Sequence, residues 1–137
     1  MASIKALRTA LATNLGSIAG LRTASSIPEV VNPPIAVVYP AGAPVEYHLA
    51  SQNATSQFNF EVMIIVGRAD ARNAQDDLDA YISTTGTKSA LLAIELDRTL
   101  GGAAFDCVAR RVSSYGSTEI NNIEYLAATI QVDVIAN

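Results

Sequence analysis

FNFEVMIIV, residues Phe58 to Val66, opens the stretch that decides the fold. The chain turns at Gly67-Arg68 and runs on as ADARNAQDDLDAYIS from Ala69 to Ser83. After Thr84-Thr-Gly-Thr87 it continues as KSALLAIELD from Lys88 to Asp97 and closes as RTLGG from Arg98 to Gly102. In the first segment Phe58, Phe60, Val62, Ile64 and Val66 alternate onto one face, which is the period of a strand. On the other face Asn59 and Glu61 give way to Met63 and Ile65. The strand is therefore expected to start half-exposed and to end covered on both sides, by a helix, a neighbouring subunit or both. In the second segment Ala71, Ala74, Leu78 and Tyr81/Ile82 make a helical stripe. Asp70, Asp76, Asp77 and Asp79 fall outside it, and Asp70 suits the positive end of the helix dipole. Leu91, Leu92, Ile94 and Leu96 are expected to pack in a second helix, with Gly101-Gly102 as its exit turn.

The pattern extends in both directions. Ile4, Leu7, Leu11, Leu15 and Ile18 recur at helical spacing, with Ser3 placed to cap the start and Gly16 or Gly20 to close the end. Leu21–Ala24 predicts a short strand. Pro33-Pro34 precedes a strand from Ile35 to Tyr39 that Pro40-Ala-Gly42 is expected to stop. Val45–Ala50 predicts the first arm of a hairpin whose second arm is Phe58–Val66, with a polar tip between them. Beyond Gly102, two long β segments cover Phe105–Ser114 and Ile123–Ile135, with Tyr115-Gly116 and Asn121-Asn122 as turn chemistry. The expected architecture is one domain over 1–137, of α+β class. It is an antiparallel, mostly meander sheet with an N-terminal helix and two central helices on one face.

Composition narrows the function. Of the 137 residues, 23 are Ala, there is no Trp, and Tyr plus Phe total eight, so the core rests on Ile, Leu and Val. A chain this lean in bulky groups gains burial by oligomerising. A net charge of −4 and no basic stripe argue against nucleic-acid binding, where phosphate neutralisation dominates affinity. Arg110-Arg111 is the one adjacent basic pair, and on a strand its members diverge. Cys107 is the only cysteine, which excludes an internal disulfide. The N-terminal apolar residues are spaced rather than continuous, unlike a signal peptide, and no run is long enough to cross a bilayer. The expectation is a soluble protein made and used in a cytoplasm.

Catalytic chemistry is hard to assemble from these residues. His48 is the sole histidine, set on a strand beside Glu46 and Ala50, with no G-x-S-x-G elbow elsewhere. Asp76, Asp77 and Asp79 splay around a helix, whereas a cation site needs converging oxygens. Gly86-Thr-Lys88-Ser echoes the end of a phosphate loop, but Tyr81 stands where its first glycine belongs. Cys107 has no basic neighbour at 106 or 108 and reads as a small buried hydrophobe. No catalytic residue, cofactor or metal is expected.

Five segments in order resemble the tail-terminator proteins of long-tailed bacteriophages. They are IKALRTALATNL, SIPEVVNPPIAVVYP, VGRADARNAQDDLDAY, KSALLAIELDRTLGGA and the closing YLAATIQVDV, which together span nearly the whole chain. The resemblance implies a structural virion protein of the tail or neck, assembled in the host cytoplasm. It implies a homohexameric ring that caps the tail tube, ends its polymerisation and docks on the head-completion or connector protein. DNA would pass through without specific binding. Six copies at −4 each carry about −24, a field that repels the DNA backbone. A heterologous ring needs two different complementary patches per subunit. Expected partner contacts are the polar tip Ser51, Gln52, Asn53, Ala54, Thr55, Ser56 and Gln57, with Met63 and Ile65 on the strand that follows. The alternatives are a head-completion (stopper) protein or a tail-tube subunit, and, from another class, a small ligand-binding or enzymatic α+β domain.

Overall fold

The computed structural model describes residues 4–18, 20–24, 33–46, 56–68, 73–102, 104–120 and 122–136, with backbone alone at 43 and 44. Helix α1 is Ile4–Leu15 and strand β1 is Arg22–Ala24. Strands β2 (Ile35–Glu46) and β3 (Ser56–Arg68) follow. Helices α2 (Ala74–Ile82) and α3 (Ala90–Ile94) then lead through a 3-10 turn at Leu100–Gly102 into β4 (Asp106–Ile120) and β5 (Ile123–Ala136). The described strands form one five-stranded sheet in the order β1-β2-β3-β5-β4. This is the α+β fold read from the sequence, a mostly antiparallel sheet with three helices packed against it.

Two features depart from a pure meander. β1 pairs parallel to β2, Arg22 opposite Ile35, and β5 inserts between β3 and β4, leaving β4 as the outer edge. β2 also runs through the point where Pro40-Ala-Gly42 was expected to end it. Its register against β3 jumps between Pro40 and Val45, so the proline and glycine make a bulge inside a continuous strand. β4 likewise passes straight through Tyr115-Gly116, with Tyr115 opposite Ala128 and Gly116 opposite Ala127. Of the two expected turn sites only the second is used: the chain reverses between Ile120 and Ile123, where Asn122 takes φ +66°, a conformation asparagine tolerates.

The core lies between helices and sheet. Leu7, Leu11 and Leu15 of α1 are fully buried, as their three- and four-residue spacing demands, and each stabilises the fold by roughly 1.5–3 kcal/mol. They meet Ala36 and Val38 of β2, Phe60, Val62 and Ile64 of β3, and Ile130, Val132 and Val134 of β5 within one cluster. Asn14, on the flank of α1 facing α3, donates to the carbonyls of Ile94 (3.3 Å) and Asp97 (3.1 Å).

The second central helix is shorter than its sequence pattern. Ser89 caps α3, accepting from Leu92 N at 3.3 Å, but the helix stops at Ile94. Asp97 is the reason the chain turns. Its carboxylate accepts from the hydroxyl of Thr99 (2.7 Å), the amide of Thr99 (3.1 Å) and the amide of Gly101 (2.9 Å). That turn holds Leu100, Gly101 and Gly102 all at positive φ. Glycine adopts it freely, while Leu100 carries a cost of roughly 1–2 kcal/mol. Leu100 is only 3% exposed, and burying a leucine is worth roughly 1.5–3 kcal/mol, so burial outweighs the strain.

Candidate functional site: the open sheet face and the outer edge

The sheet face away from the helices has two halves. At one end Ile35, Val37, Ile65, Tyr125 and Ala127 form a second apolar cluster, joined by the partly buried Met63 and Tyr39. At the other end side chains from β2, β3, β4 and β5 line a polar cleft of about 320 Å³. There Gln57 donates to Asn59 Oδ1 (2.7 Å) and Asn59 donates to Glu46 Oε2 (2.9 Å). Arg110 Nη1 donates to Asp133 Oδ2 at 2.8 Å. Strand alternation explains the split: Asn59 and Glu61 share their face with Met63 and Ile65, so polarity changes along β3 rather than across it. Between the halves, burial raises the Tyr39 phenol above its usual range, and its hydrogen bond to Glu61 raises it further.

The expected contact residues fall in different places. Positions 51–55, together with His48, lie outside the described residues. Ser56 and Gln57 are not part of a loop tip. They are the first residues of β3, Ser56 opposite Ala136 and Gln57 between Glu46 and Ile135. Main-chain pairing extends the strand two residues past the apolar pattern, which ends at Phe58. Met63 is half-buried. Ile65 is 1% exposed and packs in the second cluster of its own chain, which leaves it no surface with which to meet a partner.

The outer edge carries what the sequence reading missed. Leu92 is 50% exposed, Leu96 69% and Phe105 60%, although Leu92 and Leu96 were expected to pack. On so short a helix only Ala90, Ala93 and Ile94 turn fully inward. The surplus of large apolar residues between Leu91 and Leu96 was the available signal, since one helical face cannot bury them all. A groove of about 250 Å³ runs between Ile82, Leu91, Val112 and Ile130. Two polar ties hold its far end. Glu95 Oε2 accepts from Ala109 N (3.2 Å), and Arg98 pairs through two nitrogens with Asp106 (2.7 and 2.9 Å).

Residues weighed for chemistry have structural surroundings. Cys107 is fully buried, and burial, with Glu95 and Asp106 adding to it, pushes its thiol up to about 12, so it has no thiolate with which to react near neutrality. Asp76, Asp77 and Asp79 are exposed on α2, and Asp79 accepts from the Tyr115 hydroxyl at 2.8 Å, tying α2 to β4. Lys88 lies over the Tyr81 ring, 5.7 Å from its centroid. Among the described residues no group of three or more His, Cys, Asp or Glu side chains is placed to hold a metal ion.

No protein-family model matches this chain, and no curated protein matches it in sequence.

Proposed function

We propose that this protein is a structural component of a phage-type tail, a terminator that closes the tail tube as a homo-oligomeric ring and presents the surface to which the head connector docks. The observation that carries this reading is the order of five segments, IKALRTALATNL through YLAATIQVDV, along nearly the whole chain. One further feature supports it. A single chain leaves a run of large apolar side chains open along one edge, as a subunit of a larger assembly does. In this role the protein performs no chemical step. Its work is geometric: one face of the ring meets the last layer of tube subunits, and the other is left for the connector.

Native mass by light scattering, alone and after mixing with preformed tail tubes, tests the proposal. A ring of about six copies, or one that forms only on tube ends and halts their growth, is the expected outcome. Helical polymerisation by the protein itself would assign it to the tube instead. Binding to the head connector before any tail is present would assign it to the stopper position. A protein that stays monomeric and ignores tubes would end the reading.

A further inference from the structure

Among the described residues, five of the large hydrophobic side chains left exposed border α3 and the outer edge of the sheet. They are Leu92 and Leu96 on α3 and the turn after it, Phe105 before β4, and Val112 and Tyr115 on β4. Val108, opposite Asp133, and Ile123, on the face of Tyr125 and Ala127, lie on the other side of the sheet. The flank is continuous. Glu95 is hydrogen-bonded to the main chain of Ala109, and Arg98 is paired with Asp106 beside Phe105. These ties seat the α3 segment against β4, with the groove between Leu91 and Val112 behind them.

We propose that this flank, centred on Leu92, Leu96 and Val112, is the surface on which a second copy of this chain packs. The proposal rests on the ring reading for its choice of partner, and it says which part of the subunit makes the contact. Area favours it. At their exposures, Leu92, Leu96, Phe105, Val112 and Tyr115 leave on the order of 500 Å² of mainly apolar surface open. A standard interface of about 800 Å² per partner that is about 65% apolar needs about as much. The contact is made by side chains rather than by adding a strand. β4 shifts register against β5 between Ala109 and Arg111 and again between Val112 and Ser114, and such bulges twist an edge away from pairing.

The test uses the full-length protein with Leu92→Glu and Leu96→Glu on this flank. Thr9→Glu, at an exposed position of α1 outside this flank, is the control that adds the same charge. Light scattering across a concentration series reads assembly, alone and with tail tubes, and far-UV circular dichroism reads folding. Leu96→Ser adds no charge and is the second variant if glutamate unfolds the chain. We expect the flank variants to fold, to need at least about tenfold more protein to assemble, and the control to behave as wild type. Flank variants that assemble like wild type would overturn this inference while leaving the ring reading intact. A wild-type protein that is monomeric alone and on tubes would overturn both.

Discussion

Asp97 and Asp106 hold the connection between α3 and β4, and both do so as carboxylates. The Thr99 hydroxyl and the amides of Gly101 and Thr99 hold Asp97 below its ordinary 3.8. The Arg98 guanidinium does the same for Asp106, with the Cys107 amide adding to it. A carboxyl whose pKa is lower in the folded than in the unfolded chain stabilises the fold above the unfolded value. It loses that contribution as pH falls through the folded one. Thermal midpoints should therefore stay level from neutrality toward the ordinary value of 3.8 and decline below it. An Asp97→Asn, Asp106→Asn variant should lose part of that acid sensitivity when melts are followed by circular dichroism across the range. An acid limb as steep as that of wild type would place the controlling carboxylates elsewhere. Both residues are partly exposed, so solvent keeps the effect modest. Neither role was legible beforehand, because Asp97 reads as the end of a helix until the turn that recruits its side chain is known.

β4 shows how far local pattern carries an element. Tyr115-Gly116 looks like a turn because glycine beside an aromatic residue between apolar runs is ordinary turn chemistry. Pairing with β5 along both strands makes it a strand, and leaves the reversal to the second expected turn site, at Asn122. Gly116 then sits at a strand position with φ outside the left-handed region, and a Cβ placed on it meets no atom within 4 Å. Gly116→Val should therefore stabilise the protein by about 0.5–1 kcal/mol, by removing the backbone freedom that glycine keeps in the unfolded chain. The matching rise in midpoint is about 2–4 °C. If Gly116 occupied a turn at positive φ, the same change would lower the midpoint. The α1 stripe needed no such arbitration. Leu7, Leu11 and Leu15 are spaced for one helical face and are buried on it.

At the scale of the molecule, the sheet is covered on one side by helices and carries a second apolar cluster on the other. Ile65→Asp probes that second cluster. A carboxylate at a site 1% exposed would sit among Ile35, Val37, Tyr125 and Ala127, none of which carries a positive charge to offset its loss of hydration. It should cost more than about 3 kcal/mol, a large share of a typical domain's 5–15 kcal/mol, as read by urea denaturation. A loss under about 1 kcal/mol would mean that this end of the face is open to water. The sequence by itself determined the class of the fold, the helix positions, and which face of β3 and β5 is core. Those follow from the periods of 3.6 and 2, which every residue in an element obeys locally. Only the tertiary structure decided that β5 separates β3 from β4, that Ile65 is satisfied within its own chain, and that Leu92 and Leu96 are left in solvent. Those outcomes depend on which strands pair across the sheet and on how much area each neighbour covers. Neither quantity is carried by the spacing of residues along a single element.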